Sequence, residues 1–257
     1  MARDVGLVIG ASSGLGEHVL RALSGRGLYP VASARRVERL TALAHELDGF
    51  AIPFDVSNTS SYASFSKTID AVIQDQDASR LFVVYTPGFH ELELLTTEQV
   101  SALSEPPDAA LVRAMLGNAY DRMYDLNVAA PQRIIKLLQD VHIPVSFAYT
   151  SSQAADPQWH SQGNALYGPQ KREMEQFLHK YSDMTMYALR YPFFRSDMGK
   201  AVFDQLSVWD KQLRTQGWDE VSVPVEDVAL ATAELLHSGG SERFERIERV
   251  VYTFRNN

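Results

Sequence analysis

The first apolar run of the chain, "VGLVIG" at residues 5–10, carries β-branched residues between glycines and predicts a buried strand. The period then changes. In "ASSGLGEHVLRALSGRG" (11–27) Val19, Leu20 and Leu23 fall on one helical face, and Gly25 and Gly27 supply the stop. "LYPVASA" (28–34) reads as a second strand, and "RRVERLTALAHELDG" (35–49) as a charged amphipathic helix closed by Gly49. "FAIPFDV" (50–56) predicts a third strand, "TSSYASFSKTIDAVIQD" (59–75) a helix and "RLFVVYT" (80–86) a fourth strand. Residues 88–141 are mostly helical, with a break at "SEPPDA". "IPVSFAYTS" (143–151) is a fifth strand, and "NALYGPQKRE" (164–173) opens a helix that ends near Tyr181. "MTMYALRYP" (184–192) is a sixth strand, "VEDVALATAELLHSGG" (225–240) a helix with a glycine stop, and "RVVYTF" (249–254) a last strand.

Strand and helix alternate along the whole chain. That order implies βαβ units and a mostly parallel sheet of about seven strands with helices on both faces, an α/β doubly wound arrangement of Rossmann type. Crossovers are expected to be right-handed. With no linker, repeat or low-complexity stretch, residues 1–257 are read as one domain.

Composition narrows the function classes. The chain is 45% hydrophobic and 22% charged, ordinary for a soluble globular protein. It has no cysteine, so disulfides, thiolate metal sites and thiol nucleophiles are excluded. None of the seven histidines has metal-ligand spacing, and no metal is expected. The net charge of −8 and the absence of a Lys/Arg cluster argue against nucleic acid. No apolar run approaches the roughly 20 residues of a membrane span, and the N-terminus lacks the apolar core of a signal peptide. A cytoplasmic protein is the expectation.

The turn between the first strand and the first helix is "GASSGLG": Gly10, Ser12, Ser13, Gly14, Leu15 and Gly16. Such a turn lets the backbone approach a pyrophosphate, and the N–H groups and dipole of the helix start favour the anion. The second strand ends in "SARR". An acid near this point would accept from a ribose 2′-OH, whereas a 2′-phosphate needs a cation. Arg35 and Arg36, helped by Ser12 or Ser13, therefore predict NADP rather than NAD; the alternative is a solvated helix start. Tyr167 and Lys171 open the helix after the fifth strand. Four positions apart, they share a helix face and both border the crevice beyond the carboxyl ends of the strands. A phenol titrates near about 10, and a neighbouring cation is expected to lower that value toward neutrality.

The Gly-x-x-x-Gly-x-Gly turn, followed in chain order by Asn127, Ser152, Tyr167 and Lys171, resembles the short-chain dehydrogenase/reductase family over nearly the whole chain. The resemblance implies that Tyr167 is the acid/base, that Ser152 holds the substrate carbonyl (Ser151 being the other choice), and that Lys171 also bonds the nicotinamide ribose. It implies that Asn127 supports a water-linked proton relay. It places Asp55 and Val56 at the adenine, Gly88 beside the cofactor, and Pro192 and Ser196 at the nicotinamide amide, with Phe193 where the family has glycine. A substrate lid would span about 193–222, including Phe203, Trp209 and Trp218. A helical insertion of about 92–117 would border the substrate pocket or make a subunit contact, Phe193 would line the pocket, and Trp159 and His160 would line it or simply pack in their loop. The implied reaction is hydride transfer between NADP(H) and a small carbonyl or alcohol substrate, in a homodimer or homotetramer.

Three departures stand out. Ile9 replaces the usual threonine before the first glycine, which removes a local hydrogen bond. The fourth strand runs into "YTPG" (85–88) instead of Asn-Asn-Ala-Gly, so the side-chain bonds that steady the sheet edge are expected to be missing. Pro169 follows Tyr167 closely and is comfortable only in the first turn, so the helix is expected to start near Gly168. Two other readings compete: an epimerase or dehydratase of nucleotide sugars, which also shows Tyr-Gly and a later Glu, and a non-catalytic NADP-binding regulator.

Overall fold

The computed structural model describes residues 3–103, 107–157, 165–181, 184–206, 215 and 217–238. Six strands lie parallel in one sheet: β1 (Val5–Ile9), β2 (Tyr29–Ala34), β3 (Phe50–Pro53), β4 (Leu81–Tyr85), β5 (Val145–Ser152) and β6 (Thr185–Tyr191). Their order is β3-β2-β1-β4-β5-β6. The direction of winding reverses between β1 and β4, which is where an open parallel sheet leaves a crevice for a ligand. Every residue of β1 and of β4 is buried, as continuous apolar runs require in a sheet covered on both faces. The strand expected at 249–254 lies outside the described residues. β3 stops at Pro53, three residues short of the expectation, because proline has no N–H to offer the ladder.

One face of the sheet is covered by α1 (Gly14–Ser24), α2 (Val37–Glu46) and, near the end of the chain, residues Val225–Ser238. The other face is covered by α3 (Tyr62–Asp75) and by two later helices, Ala130–Leu138 and Tyr167–Leu178. Between β4 and β5 the stretch at about 92–117, read above as an insertion, forms short helices, α4 (Glu91–Leu94), α5 (Thr97–Ser101) and α6 (Ala109–Leu116), and α7 (Asn118–Tyr124) follows it. A π-helical turn, Asp125–Ala129, joins α7 to α8 (Ala130–Leu138). α9 is Tyr167–Leu178, α10 is Asp197–Leu206, α11 is Trp218–Val221 and α12 is Val225–Ser238.

A third apolar core sits apart from the two sheet faces. It joins Leu92, Val100 and Val112 of the insertion to Leu166 beside α9 and to Val202 and Leu206 of α10. Tyr167 and Phe193 pack at its margin. The insertion therefore meets the expected lid over the start of α9. Phe203 and Phe193 lie 5.3 and 6.2 Å from the Trp218 ring, which ties α10 to α11. No helix among the described residues is long and apolar enough to cross a membrane.

Candidate active site

The glycine turn has a physical reason at each of its first and last positions. Gly10 has φ +93°, and a β-carbon there would fall 2.3 Å from Thr86 Oγ1. A β-carbon on Gly16 would fall 2.3 Å from the Gly10 carbonyl oxygen, so only glycine lets α1 start this close to β1. Gly14, at φ +56°, faces open space. Ser13 stands at the N-cap of α1 and makes no side-chain cap bond. The helix start thus keeps its donors directed into the crevice.

Thr86 bridges two of the departures noted in the sequence, Ile9 and "YTPG". Its Oγ1 and its backbone N–H both donate to the Ile9 carbonyl, at 2.9 and 3.0 Å. The ends of β1 and β4 are thus joined by a side chain of the "YTPG" turn. Gly88, after Pro87, lies where a β-carbon would come 2.9 Å from Asn127 Oδ1 and 3.5 Å from Lys171 Nζ.

At the end of β2 the two arginines separate. Arg36 Nε donates to Ser12 Oγ at 3.1 Å, and its NH2 group donates to Ser13 Oγ. The Arg36 guanidinium therefore lies across the glycine turn, and both arginines are exposed. Ser33, whose carbonyl accepts from Gly10 and Ala11 N–H, keeps a buried hydroxyl with no hydrogen-bond partner. Asp55 and Val56 lie beyond β3. Asp55 Oδ1 accepts from Ser57 N–H at 3.0 Å, and the Val56 carbonyl is held by Tyr62 and Arg133. Pro192 is buried, and Ser196 Oγ accepts from Gly199 N–H at 3.0 Å at the start of α10. Trp159, His160 and Trp209 fall outside the described residues.

Asn127 is fully buried in the π-helical turn, and that turn is pegged by two tyrosines that the sequence pattern does not single out. Tyr85 donates to the Leu126 carbonyl at 2.9 Å and Tyr149 to the Asn127 carbonyl at 2.7 Å. A π-turn leaves carbonyls without their usual helical partners, and these phenols supply substitutes. The two tyrosines are register partners on β4 and β5, and each precedes a threonine. The repeated Tyr-Thr is the signal from which they could have been found. The Asn127 side chain is also fully engaged, donating to the Phe89 carbonyl and to Gln170 Oε1 and accepting from Phe89 N–H.

The two candidate serines have different surroundings. Ser151 Oγ donates to Glu175 Oε1 at 2.6 Å, within a buried ion pair of Glu175 with Arg190. Ser152, on the alternate side of the strand, has its hydroxyl against the Tyr167 phenol. Lys171 is buried beneath, donating to the Thr150 carbonyl at 2.8 Å, with its Nζ 5.2 Å from the centre of the Tyr167 ring. α9 begins at Tyr167, one residue earlier than expected, and Pro169 takes the third position of its first turn, where no N–H is needed.

One expectation is reversed. The Tyr167 phenol is pushed up from its ordinary value, first by burial, and then by the charges of Glu93 and Glu91, with the Ser152 hydrogen bond working the other way. Lys171 does not pull it down because the ammonium is itself desolvated: burial brings its pKa down to about 7, against a smaller upward pull from Glu175. Near neutral pH the phenol is a protonated donor.

The lysine carries a stability prediction. The unfolded chain binds a proton at Lys171 up to about pH 10.5, the folded chain only up to about 7. Between those values the unfolded state holds more protons, so stability rises with pH. One proton of difference adds about 1.4 kcal/mol for each pH unit crossed, so the rise over the whole window amounts to several kcal/mol. Urea denaturation at about pH 6.5 and about 9.5 is expected to show that rise in the wild type and a weaker one in Lys171→Met.

No protein-family model matches the chain. An uncharacterized oxidoreductase of Mycobacterium tuberculosis is 48% identical over 56 residues, which span 22% of this chain and 22% of that protein. Solved structures align far more widely. An alcohol dehydrogenase from the archaeon Thermococcus sibiricus, complexed with 5-hydroxy-NADP, matches over 91% of both chains at 22% identity with a TM-score of 0.63. A short-chain type dehydrogenase/reductase from Mycobacterium ulcerans matches over 92% of this chain and 84% of its own, at 20% identity and TM-score 0.66. This chain shares the fold of these two dehydrogenases. A 3-ketoacyl-(acyl-carrier-protein) reductase from Brucella melitensis, complexed with NADH, shares that fold over 91% of both chains at 17% identity and TM-score 0.66. Within the fold, the glycine turn, Asn127, Ser152, Tyr167 and Lys171 all lie at the carboxyl end of the sheet.

Proposed function

We propose that the protein is an NADP(H)-dependent oxidoreductase of the short-chain dehydrogenase/reductase type that moves hydride between the nicotinamide and a carbonyl or alcohol carbon. The observation that carries this reading is the convergence of the Ser152 hydroxyl, the Tyr167 phenol and the Lys171 ammonium at the same carboxyl edge of the sheet as the glycine turn. Ser152 and Tyr167 would hold and polarise the carbonyl as two fixed donors. A phenol held protonated suits reduction, because it has a proton to give as the alkoxide forms. Lys171 would orient the ribose of the bound nucleotide, which supplies the hydride.

The residues of the crevice fit the cofactor. Gly14 faces open space, and the α1 start has no side-chain cap of its own. Solved structures of the fold hold NADP-type and NADH-type ligands, so they do not choose between the two. Arg36, laid over Ser12 and Ser13, favours the 2′-phosphate of NADP. A fluorescence titration with NADPH and, in parallel, NADH tests this. Tight NADPH and weak NADH binding is expected. Equal affinities would remove the Arg36 assignment, and binding of neither would remove the oxidoreductase reading.

A further inference from the structure

We infer that Glu91, on α4, is a positioning residue for Tyr167: its carboxylate fixes the first turn of α9 and with it the point from which the phenol acts. The inference rests on Tyr167 being the acid/base. Glu91 Oε1 accepts from Leu166 N–H and Oε2 from Tyr167 N–H, both at 3.0 Å. The side chain is 1% exposed.

A helix start leaves its first N–H groups without partners, and the usual remedy is a Ser, Thr, Asp or Asn at the N-cap. α9 has none, since Leu166 occupies the N-cap and makes no side-chain cap bond. Pro169 removes a third donor from the same turn, and Gln170 N–H makes the first helical bond, to the Leu166 carbonyl. The open donors at Leu166 and Tyr167 are met by one carboxylate brought from 75 residues away. Burying a carboxylate is costly unless it is fully hydrogen-bonded, and the positive end of a helix dipole offsets part of that cost. A cap that served folding alone could have been local. This one ties the backbone of Tyr167 to the insertion.

α4 is itself held firmly. His90 Nδ1 accepts from Leu92 N–H, and Glu93 Oε2 accepts from His90 N–H, a reciprocal cap. The His90 ring lies 4.5 Å from the Tyr167 ring, tilted by 34°. Backbone and ring of Tyr167 are thus gripped by adjacent residues at the start of one short helix. Leu92, Leu166 and Val202 share the apolar core that reaches α10, so the clamp is braced from that helix as well.

The test uses Glu91→Gln, which keeps the shape and one good acceptor, and Glu91→Asp, which keeps the charge but withdraws it by one methylene. Each is compared with wild type in NADPH affinity, thermal midpoint, kcat and KM, on whichever ketone the wild type reduces fastest. Positioning predicts NADPH affinity within about twofold, a KM little changed, and kcat down by about 10–100-fold in both variants, the cost of a small misplacement of a reacting group. Wild-type kcat in either folded variant would overturn the inference. So would a loss of kcat that merely follows the loss of folded protein. Should Tyr167→Phe itself retain turnover, the acid/base assignment would fail first, and that outcome is distinguishable because it does not involve Glu91.

Discussion

Replacing Tyr167 with phenylalanine is expected to lower turnover by about 10²–10⁴-fold while leaving NADPH affinity within about twofold, the usual size of a lost general acid. The substitution removes one oxygen and keeps the ring, which packs beside His90 and at the margin of the insertion core. The fold therefore has no reason to change. What disappears is the proton donor that faces Ser152. Ser152→Ala should cost less, because the phenol can still protonate the alkoxide while one polarising donor is gone. The pair of variants also separates enzyme from regulator. A protein that only sensed NADP would tolerate Tyr167→Phe in every measurable respect. Steady-state NADPH oxidation with a panel of ketones and aldehydes, together with a binding titration, reads both quantities.

The second large effect is expected at Arg36. Arg36→Ala should weaken NADPH by about 10–100-fold and leave NADH nearly unchanged, since a hydrogen bond between two charged groups contributes about 1.5–3 kcal/mol. Arg36 already lies across Ser12 and Ser13, so the guanidinium needs little rearrangement to meet a phosphate between them. Arg36→Glu should go further, because a carboxylate repels the 2′-phosphate and can accept from the 2′-OH of NADH. Arg35→Ala is expected to matter less, as the contacts with Ser12 and Ser13 belong to Arg36. Equal losses for NADPH and NADH in Arg36→Ala would mean that the residue supports the turn and does not read the phosphate.

What the sequence makes legible depends on the range of the interaction. The alternation of apolar runs and amphipathic stretches yields the strand and helix order, because burial on both faces of a parallel sheet is a local property of each run. The glycine turn is legible for a similar reason: Gly10 and Gly16 stand a few residues apart, and the Gly10 carbonyl is what a side chain at Gly16 would strike. The serine choice is not. Ser151 and Ser152 are neighbours on alternate faces of β5, and only the position of Glu175 on α9 shows which hydroxyl is already taken. The acidity of Tyr167 has the opposite sign to the one its spacing suggests, because spacing reports the nearness of Lys171 and not the desolvation that lowers its charge. Thr86, Tyr149 and Glu91 act across tens of residues, and each looks like an ordinary strand or helix residue in its own window. Pro169 is readable as a first-turn residue, and it is one.

The central claim is hydride transfer, and the most direct measurement follows the hydride itself. NADPH carrying deuterium at both positions of the nicotinamide C4, incubated with the protein and a ketone from the panel, is expected to deliver deuterium to the carbinol carbon of the product alcohol, with Tyr167→Phe delivering about 10²–10⁴-fold less per unit time. Tight NADPH binding with no deuterium in any product across the ketone and aldehyde panel would contradict the account and leave a nucleotide-binding protein that performs no reduction.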